Sequence, residues 1–240
     1  MPIATRRSPT TYELGRQELI GMIAEMGGHT EKQLMEAIDA LSTGDANHGK
    51  RIISADAALD ALQRAIDEKA IDIIEAQKLP SDEVREFVGI FRIVNDLERI
   101  GDRAKNIGKR VIGINGEAVP RKAIRGVQHM AALVLRQLQD VLNSFATRDG
   151  AKALDVWTRD KEIDAIYTSL FREVLANMIG NRHELAYGIH LLFCAKNIER
   201  IGDHVTNIAE AIVLMVEGRT LSDERPKADA TSVMPLTFNA

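Results

Sequence analysis

The strongest constraint on this 240-residue chain is a block that it contains twice. Residues 93–113 read IVNDLERIGDRAKNIGKRVIG and residues 194–214 read CAKNIERIGDHVTNIAEAIVL. Glu-Arg-Ile-Gly-Asp is identical at Glu98–Asp102 and Glu199–Asp203, and an Asn-Ile pair follows at the same distance, Asn106-Ile107 and Asn207-Ile208. A repeat at a fixed offset announces a duplicated structural unit and limits the fold before any local propensity is weighed. In both copies the apolar residues step by alternating fours and threes: Ile93, Leu97, Ile100, Ala104, Ile107 and Val111, then Cys194, Ile198, Ile201, Val205, Ile208 and Ile212. That rhythm belongs to an amphipathic helix facing a bundle core, so the repeated unit is helical.

At roughly 100° per residue, Glu98 and Asp102 stand one turn apart on a line more than a quarter-turn from the apolar seam. Glu199 and Asp203 repeat the arrangement. The spacing predicts two pairs of acids facing outward.

Composition agrees with an all-α chain. Aromatics make up 4% of residues and there are only six prolines, while 45% hydrophobic residues suffice for a large core. The periodicity predicts six long helices. The first runs from about Thr11 to Ser42, bent or loosened at Gly27-Gly28, and the second from Ala46 to Lys78. The third follows the turn at Pro80, with Ser81 or Asp82 as cap, and carries the first repeat to Ile114. After the break at Asn115-Gly116-Glu117 and Pro120 a fourth helix leads to Thr147. A fifth spans about Ala151 to Ile179, and a sixth carries the second repeat to Glu217. Two tandem pseudo-symmetric three-helix bundles follow, residues 1–117 and 118–218, with 219–240 as a flexible tail.

Aligning the halves brings out a second correspondence, one helix before each repeat. Asp56-Ala-Ala-Leu-Asp60 matches Asp160-Lys-Glu-Ile-Asp164. Each pair of acids flanks an inward residue, Leu59 or Ile163. With neighbouring helices adjacent, Asp56 and Asp60 approach Glu98 and Asp102, and Asp160 and Asp164 approach Glu199 and Asp203. Four gathered carboxylates repel and need a counter-charge or shifted pKa values. An oxygen-only ligand set suits hard or borderline cations such as Mg²⁺, Mn²⁺, Ca²⁺ or iron rather than a structural zinc. The plainer alternative is a solvated face, with Arg99, Arg103 and Lys105 as partners in the first copy. Two features favour the metal. The second copy has His204 and Thr206 in place of Arg103 and Lys105 yet keeps its acids, and Gly101 and Gly202 are poor helix formers that let something come close.

Several function classes are disfavoured. A net charge of −4 argues against a nucleic-acid binder working by phosphate neutralisation. The single cysteine, Cys194, sits on an apolar seam and reads as a core residue. Neither a signal peptide nor a membrane span is expected, which makes the cytoplasm the expected location. A carboxylate-bridged metalloenzyme would need Glu-x-x-His pairs projecting into the core, and no histidine has that spacing behind a glutamate. Ser/His/Asp arrangements, Gly-rich phosphate loops and GxSxG are missing as well. A plain helical scaffold is the remaining alternative. Phe87, Phe91 and Leu191-Leu192-Phe193 read as core, with a partner or dimer surface as the other reading.

Through the doubled Glu/Asp-x-x-x-Asp motif, Glu98 to Asp102 and Glu199 to Asp203 with the following Asn-Ile, and the paired Asp56/Asp60 and Asp160/Asp164, the chain resembles the PhoU family of bacterial phosphate-transport regulators. The resemblance covers about residues 10 to 217. It implies two three-helix bundles whose eight carboxylates hold divalent or trivalent metal ions, with iron, manganese, magnesium or zinc as candidates. It also implies dimerisation, contact with the ATPase of the phosphate ABC transporter and with a phosphate-sensing histidine kinase, and negative regulation of the phosphate-starvation response. No catalysis is implied.

Overall fold

In a computed structural model of the protein, residues 11–76, 79–114, 121–181 and 185–221, together with 228, 229 and 231, are described. Among them the chain is all-α, with seven helices and no strand: α1 Thr11–Thr43, α2 Ala46–Ala76, α3 Ser81–Ile114, α4 Arg121–Thr147, α5 Gly150–Thr158, α6 Asp160–Gly180 and α7 Leu185–Glu217. The expected break at Asn115-Gly116-Glu117 and Pro120 lies outside the described residues, as do Gln77 and Lys78 at the expected end of α2.

Helices α1, α2 and α3 pack against one another as one bundle, and α4, the α5–α6 pair and α7 form a second. The most extensive packing joins the halves through α3 and α7, the two helices that carry the repeat. They run antiparallel: Gly89 faces Met215 and Ala211 near one end, and Gly113 faces His190 near the other. All twelve seam positions named from the repeat are buried, none more than 1% exposed, and they belong to a single continuous core. Burying a large aliphatic side chain contributes roughly 1.5–3 kcal/mol. The duplicated stripe is therefore the main reason the halves adhere.

The interhelical turns carry the expected chemistry. Gly44 adopts a φ of 68° at the end of α1, where a left-handed residue closes the helix. Asp45 then caps α2, its Oδ1 accepting from the backbone N–H groups of Asn47 at 2.9 Å and His48 at 3.1 Å. Asp149 caps α5 in the same way through the Lys152 N–H at 2.9 Å. The Gly27-Gly28 pair does not interrupt α1. Gly27 admits Leu142 of α4, since a Cβ there would stand 2.8 Å from Leu142 Cδ1.

Two expectations are corrected. The fifth helix is not continuous: it breaks at Arg159 into α5 and α6. Arg159 is held by Asp140 on α4 at 2.7 Å, and its carbonyl accepts from Gln137 Nε2 at 3.3 Å and from the Glu162 N–H at 3.0 Å. One α4 side chain, Gln137, thus shares a carbonyl that an unbroken helix would use, while Asp140 holds the guanidinium. The second correction concerns the tail expected to be flexible. Of its residues, Ala228 and Asp229 are bonded to α6 and α7: the Ala228 N–H reaches Asp164, and Asp229 meets Lys196 at 3.0 Å.

Candidate functional site

The register of the acidic helices is set by two glycines. On α3, a Cβ at Gly101 would lie 2.2 Å from Leu59 Cδ2 of α2, and on α7 a Cβ at Gly202 would lie 2.9 Å from Ile163 Cδ1 of α6. The apolar residue between each pair of aspartates therefore sits over the glycine between Glu and Asp of the facing helix. That contact brings the carboxylates on either side of it together. Asp60 and Asp102 both act on the charge of Glu98, while Asp160 and Asp203 act on Asp164, and Asp164 and Asp203 on Glu199. The two quartets expected from the sequence, Asp56, Asp60, Glu98 and Asp102 in one half and Asp160, Asp164, Glu199 and Asp203 in the other, each face a common region.

Each quartet holds a lysine ammonium. Lys105 Nζ reaches Asp56 Oδ2 and Asp102 Oδ1, both at 2.5 Å, and Lys196 Nζ reaches Glu199 Oε1 at 2.9 Å and Asp229 Oδ2 at 3.0 Å. Burial opposes the Lys105 charge, yet the bonds to Asp102 and Asp56 hold its ammonium above the ordinary lysine range. Lys196 is raised against burial in the same way by Glu199 and Asp229. Burial pushes Glu98 up, with help from Asp102. It acts on Asp102 too, but there Lys105 outweighs it and the carboxyl stays low. The first proton taken up by the Glu98–Asp102 pair therefore resides on Glu98.

The second quartet is the more enclosed. Asp160, Asp164 and Glu199 are buried, whereas in the first quartet only Asp56 is. This corrects the expectation of two outward-facing pairs, because Glu199 is buried. The glycine contacts draw the helices close enough to bury side chains that helical geometry alone places off the seam, and residues 228 and 229 cover the second quartet further. Thr206 Oγ1 donates to Asp160 Oδ1 at 3.2 Å, and the Ala228 N–H donates to Asp164 Oδ2 at 2.9 Å. Burial pushes Asp164 and Glu199 above the usual carboxylate range.

Among the described residues no three His, Cys, Asp or Glu side chains stand ready to hold a metal ion. The donor chemistry nevertheless suits a cation. Oxygen-only carboxylate groups are the ligands hard metals take, and Glu199 Oε2 is buried with no hydrogen-bond partner. Such an orphaned acceptor calls for a missing partner. From the sequence Lys105 reads only as a screening charge and Asp229 only as part of the tail, and Lys196 is not singled out. The available signal was spacing, since Lys105 stands three residues from Asp102 and Lys196 three from Glu199. Cys194 is fully buried, its thiol pushed up to about 12 by burial, in keeping with a core role.

The family model described as the PhoU domain matches residues 23–111 and 127–212. A relative from Rhizobium meliloti, named phosphate-specific transport system accessory protein PhoU homolog, is 48% identical over 212 residues, 88% of this chain and 90% of its own length. A Caulobacter vibrioides relative of the same name is 39% identical over 95% of this chain and 99% of its own. The crystal structure of PhoU from Pseudomonas aeruginosa superposes with a TM-score of 0.83 at 29% identity, covering 87% of this chain and all of that one.

Proposed function

Because the chain belongs to the PhoU family, we propose that it is a regulatory accessory protein of phosphate-specific transport whose duplicated carboxylate quartets bind metal ions. The proposal is carried by one observation: carboxylates from two helices converge twice, at equivalent places, and in the second half leave a buried acceptor unpartnered. Asp56, Asp60, Glu98 and Asp102 would hold ions in one half, and Asp160, Asp164, Glu199 and Asp203 in the other. Iron, manganese, magnesium and zinc are the candidates. A bound divalent or trivalent ion would supply positive charge among these carboxylates, as Lys105 and Lys196 do now. The protein's own work is to present these faces rigidly and to fix their spacing.

Residues 1–117 and 118–218 are taken as the duplicated units, in line with the two stretches matched by the family model. No helix among the described residues is long and apolar enough to cross a membrane. We place the protein in the cytoplasm, as a homodimer touching the ATPase of the phosphate ABC transporter and a phosphate-sensing histidine kinase. There it holds the phosphate-starvation response off when phosphate is plentiful. It is an adaptor rather than an enzyme, as the names of its relatives support. Deleting the gene tests this: phosphate-responsive transcription is expected to stay on in rich medium and to be switched off again by the wild-type gene. Unchanged repression after deletion contradicts the regulatory role.

A further inference from the structure

Toward the Gly113–His190 end of the α3–α7 seam lies a cavity of about 290 Å³ lined by Asn106, Lys109, Arg110, His190 and Asn197. None of the eight quartet carboxylates is among its lining residues. Its volume is at the low end of the range for small-molecule sites, about 300–1,000 Å³. The lining is cationic: it includes Lys and Arg but no acid, and among the described residues no carboxylate pairs with either cation. Lys109 Nζ donates to Asn106 Oδ1 at 3.2 Å. The Arg110 guanidinium lies 4.0 Å from the centroid of the Phe193 ring, which fixes its plane and leaves its edge donors for another partner.

The pseudo-equivalent place at the other end of the seam is built oppositely. The offset that carries Glu98 onto Glu199 carries Asp96 onto Asn197, Lys109 onto Glu210 and Gly89 onto His190. There Asp96 is engaged by His204 at 2.8 Å and Asn207 at 3.2 Å, Glu210 accepts from Trp157, and Met215 packs over Gly89. One end is thus acidic and filled, while the other has lost both acids, gained cations and kept space.

The cavity also offers an acceptor beside the His190 ring that lines it. Asn197 spends its amide nitrogen on the Phe193 carbonyl at 2.7 Å, which leaves its side-chain oxygen as an acceptor. Cationic donors beside a neutral acceptor match an oxyanion that carries its own proton.

We propose that this cavity binds a small protonated oxyanion, hydrogen phosphate in free solution, with Lys109 and Arg110 on its charged oxygens, Asn197 accepting from its hydroxyl and the His190 ring beside it. Fully ionised sulfate has the charge and size but no proton to donate, so one of its oxygens would face an unpaired acceptor. Sites built to hydrogen-bond a substrate hydroxyl strongly reject analogues that lack it.

Isothermal titration of the full, chelator-treated protein with inorganic phosphate tests this directly. Phosphate is expected to bind at least tenfold more tightly than sulfate. Lys109→Ala/Arg110→Gln is expected to lose at least tenfold, while Lys50→Ala/Arg51→Ala, an equal loss of charge on α2, keeps wild-type affinity. In the wild-type protein, phosphate should shift the His190 imidazole proton resonance, assigned with His190→Gln, and leave that of His48 in place. This readout stands even if the double variant fails to fold. Overturning results are no phosphate binding at millimolar concentration, equal affinity for sulfate, equal loss in both double variants, or an unmoved His190 resonance. None of these bears on metal binding by the quartets or on transcriptional control, so the two readings fail separately.

Discussion

Leu59 lies directly over Gly101: a methyl group at position 101 would stand 2.2 Å from Leu59 Cδ2 and 3.0 Å from Gln33 Oε1. This contact between α2 and α3 gathers the first quartet, and Ile163 over Gly202 repeats it at 2.9 Å. Overpacking a core costs about 1–3 kcal/mol, against a gain of about 1 kcal/mol in helix propensity for Gly→Ala. Gly101→Ala is therefore expected to destabilise by up to about 2 kcal/mol, and Gly202→Ala by less. Chemical denaturation checks both. A stabilised Gly101→Ala protein would show that the contact does not set the register.

Lys105 joins Asp56 and Asp102, and all three side chains are largely shielded from solvent. Exposed pairs contribute up to about 1 kcal/mol, and breaking a buried one costs about 3–5 kcal/mol. Lys105→Met is expected to fall between, at about 1–3 kcal/mol in metal-free buffer. Because the ammonium engages Asp56 and Asp102, two of the carboxylates proposed to hold metal, the same variant is expected to bind Mn²⁺ more tightly than the wild type in a calorimetric titration. Weaker binding would mean that the lysine supports the ion rather than competing with it.

Residues 228 and 229 act on the second quartet as a strap, the Ala228 N–H on Asp164 and the Asp229 carboxylate on Lys196. Charge-assisted hydrogen bonds contribute about 1.5–3 kcal/mol each at most when shielded. Ending the chain at Leu221 is expected to lower Tm by several degrees without metal, using about 2–4 °C per kcal/mol for a chain of this size. On the proposed metal binding, saturating Mn²⁺ should remove most of the deficit, since the ion would take over the freed carboxylates. A truncated protein that melts with the wild type in both conditions rules out the strap.

The shifted groups give a pH dependence of definite sign. Glu98, Asp164 and Glu199 are raised, so their contribution to stability is full below the ordinary carboxylate range and is lost as pH rises through their folded values. Asp102 and Asp229 are lowered, so theirs is present above that range and lost as pH falls through their folded values. At pH 7 the ionised Glu199 is therefore a net strain. Glu199→Gln is expected to raise Tm by a few degrees at pH 7 without metal, with the gain shrinking toward pH 4. Thermal melts across that interval check it, and a gain that grows on acidification contradicts the assignment.

The apolar stripe was legible because helix packing leaves a period in the sequence, and Ile93 through Val111 and Cys194 through Ile212 keep it without exception. The quartets were legible because the same spacing recurs on two helices in each half. Their burial was not, since an acid off the seam reads as exposed until the neighbouring helix closes on Gly101 or Gly202. Arg159 carries no Pro or Gly to mark the break between α5 and α6, which is imposed by Asp140 and Gln137 from α4. The docking of Asp229 depends on Lys196, which is distant in the chain and has no repeat counterpart to betray it.

The most direct test of the metal-binding account is the metal content of the purified protein by mass spectrometry, after loading and gel filtration. Wild-type protein is expected to retain ions in both halves. Glu98→Gln/Asp102→Asn and Glu199→Gln/Asp203→Asn should each lose those of one half, and the four-fold variant should lose all. A four-fold variant that is folded and carries as much metal as the wild type contradicts the account.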